Sequence, residues 1–305
     1  MSKIEILRRI NSIYATKRAQ SEYDFTRRLN AAFKDKKFEE LYVAQKKASL
    51  NKLNNKNDTT TKAFQAASKA LYDYIIENNI DLKNYYECND CKDTGSVNGK
   101  MCHCKQSLLY GMLKKEANLP SFATNTFENT SFDNISCKQA KKMASISHDT
   151  QKWASNLDGA SKRVVFLYGG VGIGKTTLAF CIANEALKNF NSVYYSSAYD
   201  FTRMLIDKQF NRLDNDAPYY DMLEADLLII DDLGSESSNT LAIEQLFAIL
   251  DSRINNNKKT MILSNLTLEQ FSKRYGERSL SRLTSKAFSY APQYIAGDDI
   301  RKIKC

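Results

Sequence analysis

Apolar side chains recur every three or four residues through the first 80 positions, which contain neither glycine nor proline. This spacing places side chains on one face of an α-helix. It predicts helices over residues 3 to about 80, interrupted by a polar loop at 51–61. The apolar stripes consist of Ile6, Ile10, Ile13 and Tyr14, then Phe25, Leu29 and Phe33, then Phe38, Leu41 and Tyr42.

The pattern changes in the second half of the chain, where short apolar runs alternate with amphipathic segments. Such an alternation predicts a parallel β-sheet flanked by helices. The predicted strands are 163–168, 192–196, 225–232 and 260–265, and the predicted helices are 177–188, 199–209 and 240–255.

A polar segment with interleaved aromatic residues at 121–135 separates two further predicted helices, at 106–117 and 138–157. Such a segment is typical of a linker. We therefore expect a helical N-terminal domain over residues 1–120 and an α/β domain over residues 121–305.

Composition and charge narrow the class of protein. Hydrophobic residues make up 43% of the 305 positions, which is enough for a core, yet no apolar run reaches membrane-spanning length. The amino terminus carries charges among its apolar positions, so we expect an unexported, cytoplasmic protein with no membrane partner. Most of the net charge of +9 belongs to residues 1–120, with 22 Lys+Arg against 14 Asp+Glu. A basic region of this kind suits nucleic acid, an acidic protein or simply solvent-facing helices.

A glycine-rich stretch follows the first predicted strand and precedes a predicted helix. It fits the pattern G-x-x-x-x-G-K-[ST], in which backbone N–H groups and a lysine hold phosphates while a hydroxyl reaches Mg²⁺. We therefore expect a nucleotide such as ATP here; a glycine-rich turn without a ligand is the alternative. The residues of this phosphate loop are Gly169, Gly170, Val171, Gly172, Ile173, Gly174, Lys175, Thr176 and Thr177.

Two carboxylates end the predicted strand at 225–232. Ligands bind at the carboxyl ends of strands in doubly wound sheets, so Asp231 is expected to hold Mg²⁺ together with Thr176. Asp232, or another acid nearby, would orient the attacking water. Asn265 ends the next predicted strand, where its amide can touch the γ-phosphate or that water.

Four cysteines cluster between the helical region and the linker. Cys88 and Cys91 form one close pair, Cys102 and Cys104 form another, and a turn-rich segment between them allows a hairpin that joins the pairs. Thiolates at such spacings predict a structural Zn²⁺ site, with His103 as the substitute ligand if one cysteine points away. Disulfides are the alternative, disfavoured in a cytosolic chain.

Several motifs together resemble one known family. They are the cysteine cluster in the form Cys-x-x-Cys-x-Asp-Thr-Gly-x-Val-x-Gly-Lys-x-Cys, the phosphate loop, Leu-Ile-Ile-Asp-Asp-Leu-Gly, Ser-Asn-Leu, Tyr-Gly-Glu-Arg with Ser-Arg-Leu, and Gly-Asp-Asp-Ile-Arg. The combination is similar to the bacterial replicative helicase loaders of the DnaC/DnaI type, a branch of the AAA+ ATPases. The resemblance runs from about residue 85 to residue 302 and implies a P-loop AAA+ ATPase domain preceded by a helical, zinc-binding domain.

Site roles follow from this resemblance as expectations. Lys175 and Thr176 would hold the phosphates and Mg²⁺, Asp231 the metal, and Asn265 would be the sensor residue. Arg282 would be the finger that reaches the ATP of a neighbouring subunit, with Arg278 as the backup candidate. Arg301 would be the second sensor.

The resemblance also implies partners and a mechanism. The partners are a hexameric replicative DNA helicase and single-stranded DNA, and the protein is expected to self-assemble on ATP. ATP bound between subunits would stabilise an assembly that holds an opened helicase ring, and its hydrolysis would release that ring onto DNA. The N-terminal domain would grip the helicase.

The chain departs from the family's pattern at one point. Many AAA+ enzymes carry Asp-Glu where this chain carries Asp231 and Asp232. The shorter side chain is expected to slow hydrolysis unless Glu236 substitutes for it. Two other functions are considered: a transposition helper ATPase of the IstB type, which usually lacks the cysteine cluster, and a nucleotide-dependent DNA-binding adaptor with little turnover.

Overall fold

The computed structural model of the chain describes residues 1–130, 137–236, 240–290 and 292–295. These residues divide into two units. One contains residues 11–105, and the other contains residues 1–10 together with the described residues from 106 onward. The predicted boundary between an N-terminal domain at 1–120 and a second domain at 121–305 lies farther along the chain than this division, and the two functional domains stay a prediction.

Helices dominate the unit of residues 11–105. Its elements are α1 (Lys3–Ala32), of which residues 11–32 belong here, α2 (Lys36–Asn54), α3 (Asp58–Glu77), β1 (Ser96–Val97) and β2 (Lys100–Met101). Helices α2 and α3 pack against each other. The turn between them is short because Asn57 caps α3 in a reciprocal capping box with Thr60. The predicted loop at 51–61 is therefore wrong in length, since α2 continues to residue 54 and α3 begins at residue 58.

The other unit is an α/β sandwich. Its helices are α4 (His103–Glu116), of which residues 106–116 belong here, α5 (Cys137–Ser155), α6 (Lys175–Lys188), α7 (Ala198–Gln209), α8 (Ala217–Glu224), α9 (Thr240–Asn255) and α10 (Leu268–Thr284). Its strands are β3 (Val164–Gly169), β4 (Val193–Ser197), β5 (Leu227–Leu233), β6 (Lys259–Ser264) and β7 (Gln293–Ile295). Within the described residues these strands form a five-stranded sheet in the order β4-β5-β6-β3-β7, and every pairing is parallel.

Helices cover both faces of this sheet. Phe166, Leu228 and Ile262 point into a buried cluster with residues of α7, α9 and α10. Because side chains alternate along a strand, the neighbouring residues point to the opposite face, where α6 packs against β4, β5 and β6. The predicted parallel sheet with flanking helices is confirmed. Each predicted strand lies within two residues of an observed one, and the sequence reasoning missed α8, α10 and β7.

None of the helices in the described ranges has the length and apolarity needed to cross a bilayer.

Candidate functional site

The phosphate loop leaves the end of β3 and enters the first turn of α6. Gly169 adopts φ +145°, and a Cβ there would lie 2.1 Å from the carbonyl oxygen of Ile295. Gly174 caps α6 with φ 92°, in the left-handed region that glycine adopts without strain. The first N–H groups of α6 have no partners within the helix, so the loop forms a backbone site suited to phosphate oxygens.

A pocket of about 270 Å³ lies at this loop, at the carboxyl ends of β5 and β6. The structure brings together here most of the predicted site residues from three separate parts of the chain. The residues that line it are Val171, Gly172, Ile173, Gly174, Lys175, Thr176, Thr177, Asp231, Asp232 and Asn265. Gly169 and Gly170 join the site through their carbonyl groups, which accept hydrogen bonds from the Lys175 ammonium at 3.0 and 2.6 Å.

Lys175 connects two strand ends across this pocket. Its ammonium donates to the side-chain oxygen of Asn265 at 2.6 Å, and the Asn265 amide nitrogen in turn donates to Asp232. Asp232 itself is exposed and adopts φ +61°, which is uncommon for a residue other than glycine. The lysine, the amide and the carboxylate therefore form one hydrogen-bonded chain along the pocket.

Asp231 is the buried carboxylate of the pocket. Burial raises its pKa, while hydrogen bonds from Tyr195 and Thr176 act in the opposite direction. The Tyr195 hydroxyl donates to Oδ2 of Asp231 at 2.8 Å. Sequence reasoning missed Tyr195. The register of β4 against β5 would have identified it. This register pairs Tyr195 with Ile229 and Ser197 with Asp231, and it therefore places the side chains of Tyr195 and Asp231 on the same face of the sheet.

Glu236 does not line the pocket. Its side chain is 6% exposed. It accepts hydrogen bonds from the Tyr275 hydroxyl and from the backbone N–H of Gly234, at 2.8 Å for the latter, and it lies 3.5 Å from the guanidinium of Arg274. These contacts occupy the carboxylate, so the geometry does not support Glu236 as a substitute for Asp232.

The two predicted arginines that the structure describes, Arg278 and Arg282, lie away from the pocket. Arg282 binds Asp251 through two nitrogens at 2.7 and 2.8 Å, and its guanidinium stacks 5.6 Å from the ring centroid of Phe247. Arg278 and Arg282 line one surface cavity. Arg278 is exposed, and its side chain forms no hydrogen bond or ion pair with any described residue. Arg301 lies outside the described residues. Sequence reasoning also missed Asp251, which holds the Arg282 guanidinium because α9 and α10 pack against each other.

The four clustered cysteines come together around the β1–β2 hairpin, as the sequence predicts. Their sulfur atoms all lie within 4.8 Å of one another. Cys88 and Cys102 approach to 3.8 Å, Cys91 and Cys104 to 3.5 Å, and none of the four forms a disulfide. The backbone N–H of Gly95 and the hydroxyl of Tyr14 donate to sulfur atoms of the cluster, at 3.3 and 3.0 Å.

This donor set fits a zinc ion. Thiolates that bind zinc tetrahedrally at about 2.3 Å lie about 3.8 Å apart, close to the spacings observed here. Burial works against ionisation of Cys91, but the Gly95 N–H and the neighbouring thiols outweigh it and lower its pKa to about 7. Burial raises the pKa of Cys104 to about 12. His103 lies 3.8 Å from the Cys88 sulfur and 3.4 Å from Asp90, so a second, more exposed donor set exists beside the four cysteines.

Comparison with known families gives one match for the region that carries the pocket. The family model described as IstB-like ATP binding protein matches residues 106–285. This region contains the phosphate loop, both strand-end aspartates, Asn265 and the two described arginines.

Individual proteins and solved structures are similar to parts of the chain. The chain is 28% identical over 157 residues to the replicative helicase loader DnaC of Escherichia coli (strain K12). The matched region covers 51% of this chain and 63% of that protein. The fold is similar to the crystal structure of the DnaC helicase loader, with a TM-score of 0.45, 22% identity and coverage of 51% of this chain and 90% of the other. It is also similar to the crystal structure of DnaI, with a TM-score of 0.44, 21% identity and coverage of 60% and 95%.

Proposed function

Because the chain belongs to the family of IstB-like ATP-binding proteins and carries a P-loop AAA+ domain, we propose that it is an ATP-dependent loader of the replicative DNA helicase. The observation that carries this proposal is the combination of the phosphate-loop pocket with a cysteine cluster, in a chain related to the DnaC helicase loader. The match spans 63% of the length of that relative, so loading itself is part of the proposal.

ATP would bind in the pocket at the phosphate loop. The N–H groups at the start of α6 and the Lys175 ammonium would hold the phosphates, and Thr176 and Asp231 would hold Mg²⁺. Asn265 and Asp232 would contact the γ-phosphate and the attacking water. Asp232 has a short side chain and is already bound by Asn265, so we expect slow hydrolysis that depends on partners.

Arg282 would complete the site of a neighbouring subunit. Arg282 does not line the pocket of its own chain but lies at a separate surface cavity. This position supports a contact with ATP bound to a second copy of the chain. An ATP site shared between subunits would link nucleotide state to assembly, because hydrolysis removes the charge that the arginine binds. Arg301 would act as the second sensor.

The N-terminal part of the chain would contact the helicase and hold a structural zinc ion at Cys88, Cys91, Cys102 and Cys104. Zinc with four protein ligands has no open position for a substrate, so we assign it to folding. Single-stranded DNA is the proposed nucleic-acid partner, and the basic balance of residues 1–120 supports an electrostatic contribution to partner binding.

A second candidate follows from the name of the matching family, which describes IstB-like proteins. A transposition helper ATPase of that type would share the pocket and the sheet. The cysteine cluster favours the loader, because these helpers usually lack it.

Size-exclusion chromatography with the host's hexameric replicative helicase tests the proposal. Wild type is expected to form a stable complex with ATP, and to load the helicase onto single-stranded DNA only with ATP. Lys175→Ala is expected to lose loading. A wild type that binds ATP but forms no helicase complex with ATP or ADP would exclude the loader and favour the transposition helper.

A further inference from the structure

Two adjacent tyrosines on β4 point to opposite faces of the sheet. The ring of Tyr195 lies 5.5 Å from that of Phe180 on α6, on the side of the phosphate loop. The hydroxyl of Tyr194 lies 3.9 Å from the sulfur of Met204 on α7, on the other side. The two side chains have the same chemistry and are both half-buried, but only Tyr195 faces the pocket helix.

The Tyr195 hydroxyl fixes one oxygen of Asp231. It donates to Oδ2 at 2.8 Å, and the Asp231 carboxylate is otherwise buried at the end of β5. A hydrogen bond to an ionised oxygen is directional and stronger than one between neutral groups. Together with the hydrogen bond from Thr176, it therefore sets the rotation of the carboxylate and the direction in which Oδ1 points.

The backbone of the same tyrosine is held from outside the sheet. In the described residues β4 is the edge strand, so its outer N–H and C=O groups lack a strand partner. The N–H of Tyr195 donates to the carbonyl oxygen of Ala117 at 3.0 Å, and its carbonyl accepts from the Asn118 side chain at 2.9 Å. Both outward groups of Tyr195 are thus bound by the segment that follows α4.

We propose that Tyr195 is a positioning residue for the metal-binding aspartate, and that the Ala117–Asn118 segment holds it in place. The side chain orients Asp231 for the Mg²⁺ that accompanies ATP, and the backbone contacts keep the edge strand at the distance this hydrogen bond requires. The inference rests on the proposed function, since it takes Asp231 as the Mg²⁺ ligand. It adds that the Ala117–Asn118 segment, directly after α4, affects the binding of Mg²⁺ rather than the binding of the phosphates.

Binding of a fluorescent ATP analogue tests this without relying on turnover. Its affinity is measured in EDTA and then across a Mg²⁺ titration, for wild type, Tyr195→Phe and Tyr194→Phe. Tyr195→Phe keeps the ring and removes only the donor. We expect it to need about tenfold more Mg²⁺ for the same increase in affinity, with unchanged affinity in EDTA. Tyr194→Phe is expected to match wild type in both.

Asn118→Ala provides a second variant that leaves the tyrosine intact. We expect it to shift the Mg²⁺ midpoint in the same direction by about two- to threefold, since it removes one neutral hydrogen bond at the backbone. A Tyr195→Phe variant with the wild-type midpoint would overturn the inference, and so would an equal loss of affinity in EDTA and in Mg²⁺, which indicates a general structural role. Failure of wild type to bind the analogue at all would instead overturn the proposed function and this inference together.

Discussion

The ammonium nitrogen of Lys175 lies 2.6 Å from the side-chain oxygen of Asn265. This contact joins the phosphate loop to the end of β6 and predicts different effects for the two residues. Lys175→Ala removes a charge from the phosphate site, so we expect ATP affinity to fall by about 10- to 100-fold. Asn265→Ala is expected to leave affinity within about threefold and to lower the hydrolysis rate by about 10- to 100-fold, since the amide acts on the γ-phosphate or the water.

Equilibrium binding and single-turnover hydrolysis measure the two effects separately. Lys188→Ala is the matched control, because Lys188 lies at the other end of α6 and pairs with Glu128 on the surface. It is expected to match wild type in both assays. A large loss of ATP affinity in Asn265→Ala would assign the amide to nucleotide binding rather than to sensing.

Arg282 and Arg278 differ in how far the folded chain already orders them. Asp251 and Phe247 hold the guanidinium of Arg282, whereas Arg278 has no partner among the described residues. A side chain that is ordered in advance loses less entropy on binding. We therefore expect Arg282→Ala to lower hydrolysis by the assembled protein about 1,000-fold, and Arg278→Ala to have a much smaller effect.

Mixing experiments decide whether this arginine acts between subunits. Arg282→Ala supplies an intact phosphate loop, and Lys175→Ala supplies an intact arginine. A mixture of the two variants is expected to regain part of the hydrolysis that each lacks alone. If only Arg278→Ala is complemented in this way, the finger is Arg278.

Substitutions of Asp232 and Glu236 are expected to have different effects, the first on ATP hydrolysis and the second on the stability of the fold. Asp232 lines the pocket, so Asp232→Asn should abolish most hydrolysis while ATP still binds. Glu236 is buried and bound by Tyr275 and Arg274, so Glu236→Gln should lower the melting temperature by several degrees, for a loss of about 1–3 kcal/mol. Calorimetry and a phosphate-release assay give the two readouts. Loss of hydrolysis in Glu236→Gln at unchanged stability would return Glu236 to the catalytic machinery.

Local sequence patterns predicted the parts of the fold that local chemistry determines. The phosphate loop is predictable because its glycines allow a backbone path that other residues would adopt only with strain. Strands β3, β5 and β6 are predictable because short, buried apolar runs are typical of parallel strands. The hairpin at the cysteines follows from its turn residues in the same way. By contrast, β7 is three residues long and only partly buried, so its sequence carries no strand signal.

The missed site residues depend on contacts between distant parts of the chain. In the sequence, Tyr195 cannot be distinguished from any other strand residue, because its contact with Asp231 depends on the register of β4 against β5. Asp251 likewise resembles an exposed acidic residue of a helix, because its contact with Arg282 depends on the packing of α10 beside α9. Arg253 is a further case. It is 1% exposed, and its guanidinium donates to carbonyl oxygens of Met222, Leu223 and Lys259, which ties α8 to the start of β6. No periodicity in the sequence distinguishes such an arginine from a surface one.

Zinc content tests the cysteine cluster. We expect about one zinc ion per chain in protein purified without chelator, measured by elemental analysis. Cys91→Ser should lose that zinc and the protection of the β1–β2 hairpin from hydrogen exchange, because metal binding stabilises such small loops. Cys181→Ala is the control, since Cys181 is buried outside the cluster. Full zinc content in Cys91→Ser would point to the set that contains Cys88, Asp90 and His103.

Asp226 predicts a pH dependence of stability. Burial alone would raise its pKa, but the Ser192 N–H and Lys3 outweigh burial, and the pKa is lowered below its ordinary value. Its carboxylate accepts from Ser192 N–H and Oγ at 2.9 Å and pairs with Lys3 at 3.0 Å and Lys258 at 3.4 Å. An Asp with a lowered folded-state pKa stabilises the fold above its unfolded-state value of about 3.9, and this contribution is lost as the pH falls through the folded-state value.

Asp226→Asn should therefore lower the free energy of unfolding by about 1–3 kcal/mol at pH 7, measured by urea denaturation. The difference from wild type should narrow as the pH falls below about 4, because Asp226 then binds a proton in the unfolded chain before it does so in the folded chain. Asp214→Asn, at an exposed position, is expected to match wild type across the range. A constant difference between Asp226→Asn and wild type from pH 7 to pH 3 would show that packing, rather than the charge of Asp226, accounts for its contribution.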